Sequence, residues 1–416
     1  MSDTKARDDS KGAENANALP SQPPEALPSS SSRTLSRRTI LVGLTCLVVG
    51  GAAGSSLTWA ALRSQTRLLL LAKWTQARNM VLARSFFRAT LLNTGLVLIE
   101  GGVTTDKSYT AQSELFDAMA GTWRKTGILN QERAKHTATL LPSGKVLVAG
   151  GIGTMIRSSA ELYDPATETW MLTKGTMRQA RVKHTATVLQ TGKVVVAGGV
   201  VHDNTTELYD PATDTWSWAG DMLTHRFDHV AVRLLDGNVL VTGGRTKNEI
   251  DQSITNSAEL YNPDKNTWTF LPSMNIARAD FTAALLPDGR VLVIGGRLPS
   301  GDPTPTTEIY DFNTRRWQPG DGMRYARQNP LGQEALRCAD GTILVVGGDH
   351  LGTSETYSPT TGTWVSPLKL SSPHYLGATA SLSNGRALVA GGFDVSSSDD
   401  KSRITSSAEI YSPGLE

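Results

Sequence analysis

Six arginines and one histidine recur along the chain at a spacing of 45–52 residues. Each stands four residues after an apolar residue that itself follows a tryptophan, so the seven occupy one equivalent position in a repeated unit. Guanidinium groups bind carboxylates in a bidentate fork, and this set could bind a carboxylate or an acidic glycan. Alternatively, each cation bonds backbone carbonyls within its own unit, as its repetition favours. The seven are Arg84, Arg133, Arg181, Arg226, Arg278, Arg327 and His374.

Other charged residues stand beside these cations but differ from unit to unit. Lys135, Lys183, Asp228 and Asp280 each lie two residues after a repeated arginine, and so does the polar Asn329. Because a repeated frame does not explain residues that vary, we expect these five to be better candidates for a ligand site. Two long segments, 245–258 and 393–408, carry further charges on predicted loops, where function usually lies.

Three histidines raise the question of a metal site. His136, His184 and His229 each follow an arginine by three residues. Three imidazoles could bind zinc or copper. Since the three share a repeat position, we expect them to share a structural role, and we predict neither a metal nor another cofactor.

Composition excludes several classes of protein. The chain of 416 residues has 41 basic and 39 acidic residues, a formal net charge of +2, so we expect no nucleic-acid partner. Two cysteines are too few for a disulfide scaffold or a multi-cysteine zinc domain.

The spacing of the glycines predicts the strands and turns that position these residues. Seven Gly-Gly pairs occur after residue 100, each six residues after a single glycine that ends a turn. The run between them is apolar and β-branched, as in Lys145 to Ala149, which predicts a buried strand after a hairpin. A strand such as Glu161-Leu162-Tyr163 follows each pair, and a tryptophan such as Trp170 opens the next strand. The pairs are at 101–102, 150–151, 198–199, 243–244, 295–296, 347–348 and 391–392.

Four strands in a period of 45–52 residues resemble the kelch repeat, and the resemblance covers residues 74–416. It implies an all-β fold, a seven-bladed kelch β-propeller. The last unit lacks its fourth strand, and Trp74 has the spacing to supply it, so we predict that the N-terminal strand near Trp74 closes the ring. The resemblance also implies that the repeated cations lie at the mouth of the central channel.

The segment from Arg133 to Leu141 resembles bacterial kelch proteins related to the central domain of galactose oxidase. That family holds copper with two tyrosines and two histidines, and one tyrosine is cross-linked to a cysteine. The cross-linked tyrosine lies two residues after the blade arginine, and none of the seven matching residues here is tyrosine. We therefore expect no copper-radical site. Some exported kelch propellers are sialic-acid epimerases, which leaves acid–base chemistry on a sugar as an alternative.

The N-terminal part of the chain is different in kind. Residues 1–38 are predicted to be a disordered tail, because they are rich in Ser and Pro and hold no aromatic residue. Residues 39–62 carry no charge, and a helix of that length reaches about 36 Å, enough to cross a membrane. The preceding Arg37-Arg38 fits either a signal anchor with its N-terminus in the cytoplasm or a twin-arginine export signal. Residues 63–73 would be a linker.

These features predict an exported or membrane-tethered propeller that acts as a non-catalytic binding module. Its channel-mouth face would bind a protein or glycan outside the cytoplasm, and residues 39–62 would contact the membrane. After cleavage of the signal the propeller would be secreted instead. A carbohydrate-acting enzyme, epimerase-like or galactose oxidase-like, is the alternative.

Overall fold

The computed structural model describes residues 72–200, 204–246, 253–328, 335–383, 385–395 and 403–413. The predicted tail, the predicted membrane or signal segment and most of the predicted linker lie outside these residues. Across the described part of the chain, no helix has the length and apolar character that a membrane span requires.

The described residues form 34 β-strands. The first group is β1 (Lys73–Gln76), β2 (Arg84–Ser85), β3 (Arg88–Leu91), β4 (Leu96–Glu100), β5 (Val103–Thr104), β6 (Ser113–Asp117), β7 (Thr122–Lys125), β8 (Thr137–Leu140), β9 (Val146–Ala149), β10 (Ala160–Asp164) and β11 (Thr169–Leu172). The second is β12 (Thr185–Val188), β13 (Val194–Ala197), β14 (Thr206–Asp210), β15 (Thr215–Trp218), β16 (Val230–Arg233), β17 (Val239–Thr242), β18 (Arg245–Thr246), β19 (Ser253–Ile254), β20 (Ala258–Asn262), β21 (Thr267–Leu271) and β22 (Thr282–Leu285). The third is β23 (Val291–Ile294), β24 (Thr307–Asp311), β25 (Arg316–Pro319), β26 (Leu336–Arg337), β27 (Ile343–Val346), β28 (Thr353–Ser358), β29 (Thr363–Lys369), β30 (Ala378–Ser381), β31 (Ala387–Ala390), β32 (Phe393–Asp394), β33 (Arg403–Ile404) and β34 (Ala408–Ser412).

Seven antiparallel four-stranded sheets make the blades of a propeller, as predicted. Blades 1 to 6 begin at β3, β8, β12, β16, β22 and β26, and each runs from an inner strand to an outer one. Blade 7 contains β30, β31, β34 and β1. Three short hairpins, β2–β5, β18–β19 and β32–β33, lie beside the links between blades.

The N-terminal strand closes the ring, which confirms the prediction for Trp74. Strand β1 pairs with β34, and Trp74 stands opposite Tyr411. The Trp74 indole N–H also donates to Ser354 Oγ of blade 6 at 2.8 Å. This pairing covers what would otherwise be an open strand edge.

The second strand of each blade lies in the core. Strand β9 is buried at all four residues because blades pack on both of its faces, which explains its unbroken apolar sequence. The turn glycine before it, Gly144, has φ +84°, the left-handed conformation that the hairpin requires.

Tyrosine and tryptophan pack together within the blades, and the indole reaches the blade before. The Tyr163 and Trp170 ring centroids are 5.1 Å apart. The indole N–H of Trp170 donates to Ser113 Oγ of blade 1 at 3.1 Å. These aromatic side chains therefore hold blades together.

Candidate functional site

The seven repeated cations are inside the blades. Arg133 has 0% of its surface exposed, and its Nη2 donates to Glu161 Oε1 at 2.7 Å. Its Nη1 donates to the carbonyls of Gly150 and Ser159. The other Oε of Glu161 accepts the backbone N–H of Asn130 at 2.7 Å. The same Arg–Glu pair recurs at Arg84–Glu114, Arg181–Glu207, Arg226–Glu259, Arg278–Glu308 and Arg327–Glu355.

Blade 7 makes the same pair with a histidine. His374 Nδ1 lies 2.8 Å from the Gly391 carbonyl, and Nε2 lies 3.2 Å from Glu409 Oε1. Burial acts to raise the pKa of Glu409, but hydrogen bonds from His374 and Ser371 hold it below its ordinary value. Each repeated cation therefore lies inside its blade, where it joins the second strand, the third strand and the link of its own unit, as the repetition of the residue favours.

The three histidines are also buried, and they do not converge. His184 Nε2 lies 3.1 Å from Thr137 Oγ1 of blade 2, and His229 Nε2 lies 3.0 Å from Thr185 Oγ1 of blade 3. His136 Nε2 lies 3.4 Å from Glu100 Oε1 of blade 1. Each ring therefore bridges two neighbouring blades.

The residues two positions after the repeated cations form the mouth of the channel. Six of them are described: Phe86, Lys135, Lys183, Asp228, Asp280 and Leu376. All six have φ between 51° and 61°, a conformation that non-glycine residues rarely adopt. Backbone hydrogen bonds connect them, for example from Asp228 N to the Lys183 carbonyl and from Asp280 N to the Asp228 carbonyl. The ring of links therefore holds four kinds of side chain (Phe, Lys, Asp and Leu) at these six equivalent positions.

Four charged residues meet on one side of this mouth. Lys183 Nζ lies 3.2 Å from Asp228 Oδ2, and Arg245 Nε lies 3.4 Å from the same oxygen. Arg245 Nη2 lies 2.6 Å from Asp280 Oδ2. The Asp228 side chain is 14% exposed and that of Lys183 28%. We call Lys183, Asp228, Arg245 and Asp280 the charged cluster.

The two carboxylates of the charged cluster affect each other. Burial and the nearby Asp280 raise the pKa of Asp228 to about 6, although Lys183 and Arg245 act to lower it. A carboxyl group with such a pKa changes charge near physiological pH and is suited to proton transfer as well as to binding.

The other side of the mouth is aromatic. The Phe86 and Phe393 ring centroids are 6.1 Å apart, edge to face. Lys135 Nζ lies 4.5 Å from the centre of the Phe86 ring, a cation–π contact. The mouth therefore presents an aromatic half from blades 7 and 1 and a charged half from blades 3 to 5.

The residues described do not fit the copper site of the galactose oxidase family. The six mouth residues supply no tyrosine, and no group of three or more His, Cys, Asp or Glu within the described ranges could hold a metal ion. Cys338 is buried beside the hairpin of blade 6, where its N–H bonds the Thr342 carbonyl. That hairpin lies at the end of the inner strand away from the mouth.

Sequence reasoning missed two sets of residues. It named the glutamates of the third strands only as strand markers, although a glutamate in all seven units beside a repeated cation signals paired charges. It also missed Glu100, which stands before Gly101 where the other units have Ala, Thr, Ile or Val. Burial raises the pKa of Glu100 well above its ordinary value, against the opposing charges of Arg84 and Arg88.

Asn329, which follows Arg327 by two residues, lies outside the described residues, as do the loop candidates Lys247 and Asp251 of segment 245–258 and Asp399 and Asp400 of segment 393–408. Arg245 is described and belongs to the charged cluster. Asp394 is described in β32, where it pairs with Arg403 of β33.

Comparison with known proteins finds kelch repeats in proteins that are similar to this chain. The family model of the kelch motif matches residues 226–275. Two F-box/kelch-repeat proteins of Arabidopsis thaliana are 31% identical over 141 residues and 29% identical over 130 residues. Those alignments cover 32% and 30% of this chain, and 36% and 29% of the relatives. The chain thus spans about a third of the length of these relatives.

Enzymes of the oxidase class are also similar. Galactose oxidase of Gibberella zeae is 29% identical over 99 residues, 23% of this chain and 13% of that protein. The solved structure of a novel fungal alcohol oxidase of the AA5 family, in complex with copper, superposes with a TM-score of 0.67 and 18% identity. It covers 82% of this chain and 76% of its own, and at that identity it shows the fold alone. The seven repeats, the seven four-stranded blades and the match to the kelch motif at residues 226–275 together show a kelch-repeat β-propeller, and the chain is similar to galactose oxidase over part of its length.

Proposed function

We propose that this propeller is a non-catalytic binding module whose channel mouth binds a protein partner, with a glycan as the other ligand class. The observation that carries the proposal is the charged cluster, in which Asp228 and Asp280, at one repeat position of neighbouring blades, converge on Arg245. A rigid frame that presents an arginine, carboxylates and aromatic rings on one face has the composition of a binding hot spot. The buried Arg–Glu pairs support the frame but offer a partner no surface.

Charge reversal at the mouth tests the proposal. Lys183→Glu would place an acid against Asp228 in the charged cluster. Lys193→Glu makes the same charge change in the same blade, at an ion pair with Asp210 that is 3.0 Å long and lies outside the cluster. The full-length chain would capture partners from extracts of its own cells, and glycans would be tested on an array. We expect Lys183→Glu to weaken binding of the recovered partner at least tenfold and Lys193→Glu to leave it unchanged. Equal affinities of both variants and the native chain would contradict a role for the mouth.

We also propose that the propeller acts outside the cytoplasm. Residues 39–62 would anchor it, with the N-terminus cytoplasmic and the propeller outside, or would be cleaved during export. Carbonate treatment of membranes separates the two: an anchored chain stays in the pellet, and a cleaved chain is released. A full-length chain found only in the cytoplasmic fraction would contradict both.

A carbohydrate-acting enzyme is the second candidate, because the pKa of Asp228, raised to about 6 beside Asp280, suits acid–base catalysis. The test is incubation of the full-length chain with sialic acids and galactosides, followed by product analysis. Turnover that is lost in Asp228→Asn would establish the enzyme and overturn the non-catalytic module. Unchanged sugars would contradict the enzyme.

A further inference from the structure

A second group of charged side chains lies in the central channel, at the end away from the mouth. The channel encloses a cavity of about 630 Å³ lined by the inner strands of all seven blades. Each inner strand leads from the cation link at the mouth to a hairpin turn, so its first and last residues mark opposite ends of the channel. A strand of four residues separates those ends by about 10–13 Å.

The last residue of the inner strand faces the cavity at the hairpin end. Blade 5 places Leu285 there, paired with Val291. Blades 4 and 6 place Arg233 and Arg337 at this same register, paired with Val239 and Ile343. Both arginines line the cavity and are exposed to it, unlike the repeated arginines buried in the blades.

Neither arginine has an acidic partner within 4 Å among the described residues, and no Asp or Glu among those residues lines the cavity. The nearest turn carboxylates are engaged in their own hairpins. Asp236 accepts from Asn238 N, Asp288 binds Arg290, and Asp340 accepts from Thr342 N.

The rest of the cavity wall favours an anion as well. Thr139 and Thr187 contribute hydroxyl groups, while Ala138 and Ala186 keep the middle of the channel apolar and open. Arg88 adds a third guanidinium at the mouth end, where its Nε donates to the His136 carbonyl at 2.9 Å. Charges of one sign between low-dielectric walls concentrate counter-ions, so the potential of this cavity is stronger than that of isolated surface arginines.

We propose that the hairpin end of the channel binds a small oxyanion, such as phosphate, between Arg233 and Arg337. Two guanidiniums at equivalent registers can each donate two N–H groups to a tetrahedral oxyanion. This site is separate from the mouth, so its existence does not depend on the proposed partner binding.

Calorimetric titration of the full-length chain with inorganic phosphate at constant ionic strength tests the site. We expect saturable binding of one phosphate per chain, weakened at least tenfold in the double variant Arg233→Gln/Arg337→Gln. Arg316→Gln, an exposed arginine on the outer strand β25, is the matched control and should bind as the native chain does. Circular dichroism and the melting temperature without phosphate would verify that all variants are folded.

Three results would overturn the proposal. The first is a titration that shows no saturable binding up to millimolar phosphate. The second is an equal loss of phosphate binding in the double variant and in Arg316→Gln. The third is an equal increase of the melting temperature in phosphate and in sodium chloride of the same ionic strength. Because both arginines are exposed, the double variant is expected to fold, and its failure to bind would reflect the missing guanidiniums.

Discussion

The buried arginine of blades 1 to 6 is a cross-link between three segments of its own unit. Arg226, with 0% of its surface exposed, bonds the carbonyls of Gly243 and Ser257 and the carboxylate of Glu259. Glu259 in turn accepts the backbone N–H groups of Leu223 and Thr224 in the link. A buried charge that loses its partner strongly destabilises a fold, so we infer that this pair stabilises the blade and does not bind a ligand.

Loss of one such arginine should therefore be costly. Arg226→Met leaves Glu259 buried without its cation and should lower the free energy of unfolding by about 3–5 kcal/mol. Arg124→Met removes an exposed pair with Glu168, whose side chains are 52% and 36% exposed, and should cost about 1 kcal/mol or less. Urea denaturation of both variants measures the difference. Similar midpoints for the two would contradict a structural role for the repeated arginines.

The buried histidines make stability depend on pH in a defined direction. Burial, assisted by the charge of Arg181, lowers the pKa of His184 to about 3, against about 6.5 in an unfolded chain. Between these values the unfolded state takes up a proton that the folded state does not, so stability falls as pH falls from about 6.5 to 3. The slope from this residue is about 1.4 kcal/mol per pH unit.

His184→Asn should remove that slope. We expect the free energy of unfolding of the variant to change less steeply than that of the native chain between pH 6 and 4. The acids with raised pKa, Glu100 and Asp228, act in the opposite direction, but they are present in both proteins and cancel in the comparison. Chemical denaturation at several pH values measures the two slopes, and identical slopes would show that His184 is not buried in its neutral form.

At the scale of the element, the Gly-Gly pair is the contact between one blade and the next. Gly151 N donates to the Arg181 carbonyl in the link to blade 3 at 2.9 Å. Gly150 has φ +64°, and a Cβ there would lie 2.5 Å from that same carbonyl. Both the backbone conformation and the close approach of the neighbouring link therefore require glycine.

Two alanine substitutions separate these requirements. Gly121 has nearly the same φ, +65°, but nothing lies within 4 Å of a Cβ at that position. Gly121→Ala should cost about 1–2 kcal/mol from the backbone conformation alone. Gly150→Ala should cost about 1–3 kcal/mol more, because the link to blade 3 must move. Melting temperatures and urea denaturation of both variants would test this, and equal losses would refute the inter-blade contact.

At the scale of the whole propeller, closure joins the two ends of the repeat array. Strand β1 is far from blade 7 in sequence, yet it supplies the outer strand of that blade. The Trp74 and Tyr411 ring centroids are 5.4 Å apart, close to the spacing of the Tyr–Trp pairs in blades 2 to 6. Blade 7 therefore has four strands like the other blades, and its strand β34 is paired on both sides, which protects that strand from unfolding.

Trp74→Ala should loosen the closure. We expect a loss of about 2–3 kcal/mol, below the range for a fully buried aromatic residue because Trp74 is half-buried. Hydrogen exchange should become faster in β34 and stay slow in β20 of blade 4. Trp218→Ala, at an indole outside the Tyr–Trp pattern that is 37% exposed, is the control and should leave exchange in β34 unchanged. Uniformly faster exchange throughout the ring would indicate general destabilisation instead.

The repeat by itself determined the architecture. The spacing of turn glycines, Gly-Gly pairs, tyrosines and tryptophans predicts the four strands and their hairpins, because each of these residues meets a local requirement such as a positive φ or a buried aromatic pair. The spacing at Trp74 also predicts how the ring closes, because the seventh repeat has only three strands of its own and the strand at Trp74 can supply the fourth.

Only the tertiary structure decided which side chains reach a surface. Arg181 and Lys183 are two residues apart, but the left-handed turn at Lys183 exposes that lysine at the mouth while Arg181 remains inside the blade. Asp228, Arg245 and Asp280 come from two blades and a loop, so their convergence depends on how the blades are arranged around the axis. Arg233 and Arg337 look like ordinary surface residues in sequence, and only closure of the ring places them in one cavity. Periodicity gives each residue its place within a unit, whereas the direction of a side chain and its neighbours across blades depend on long-range packing.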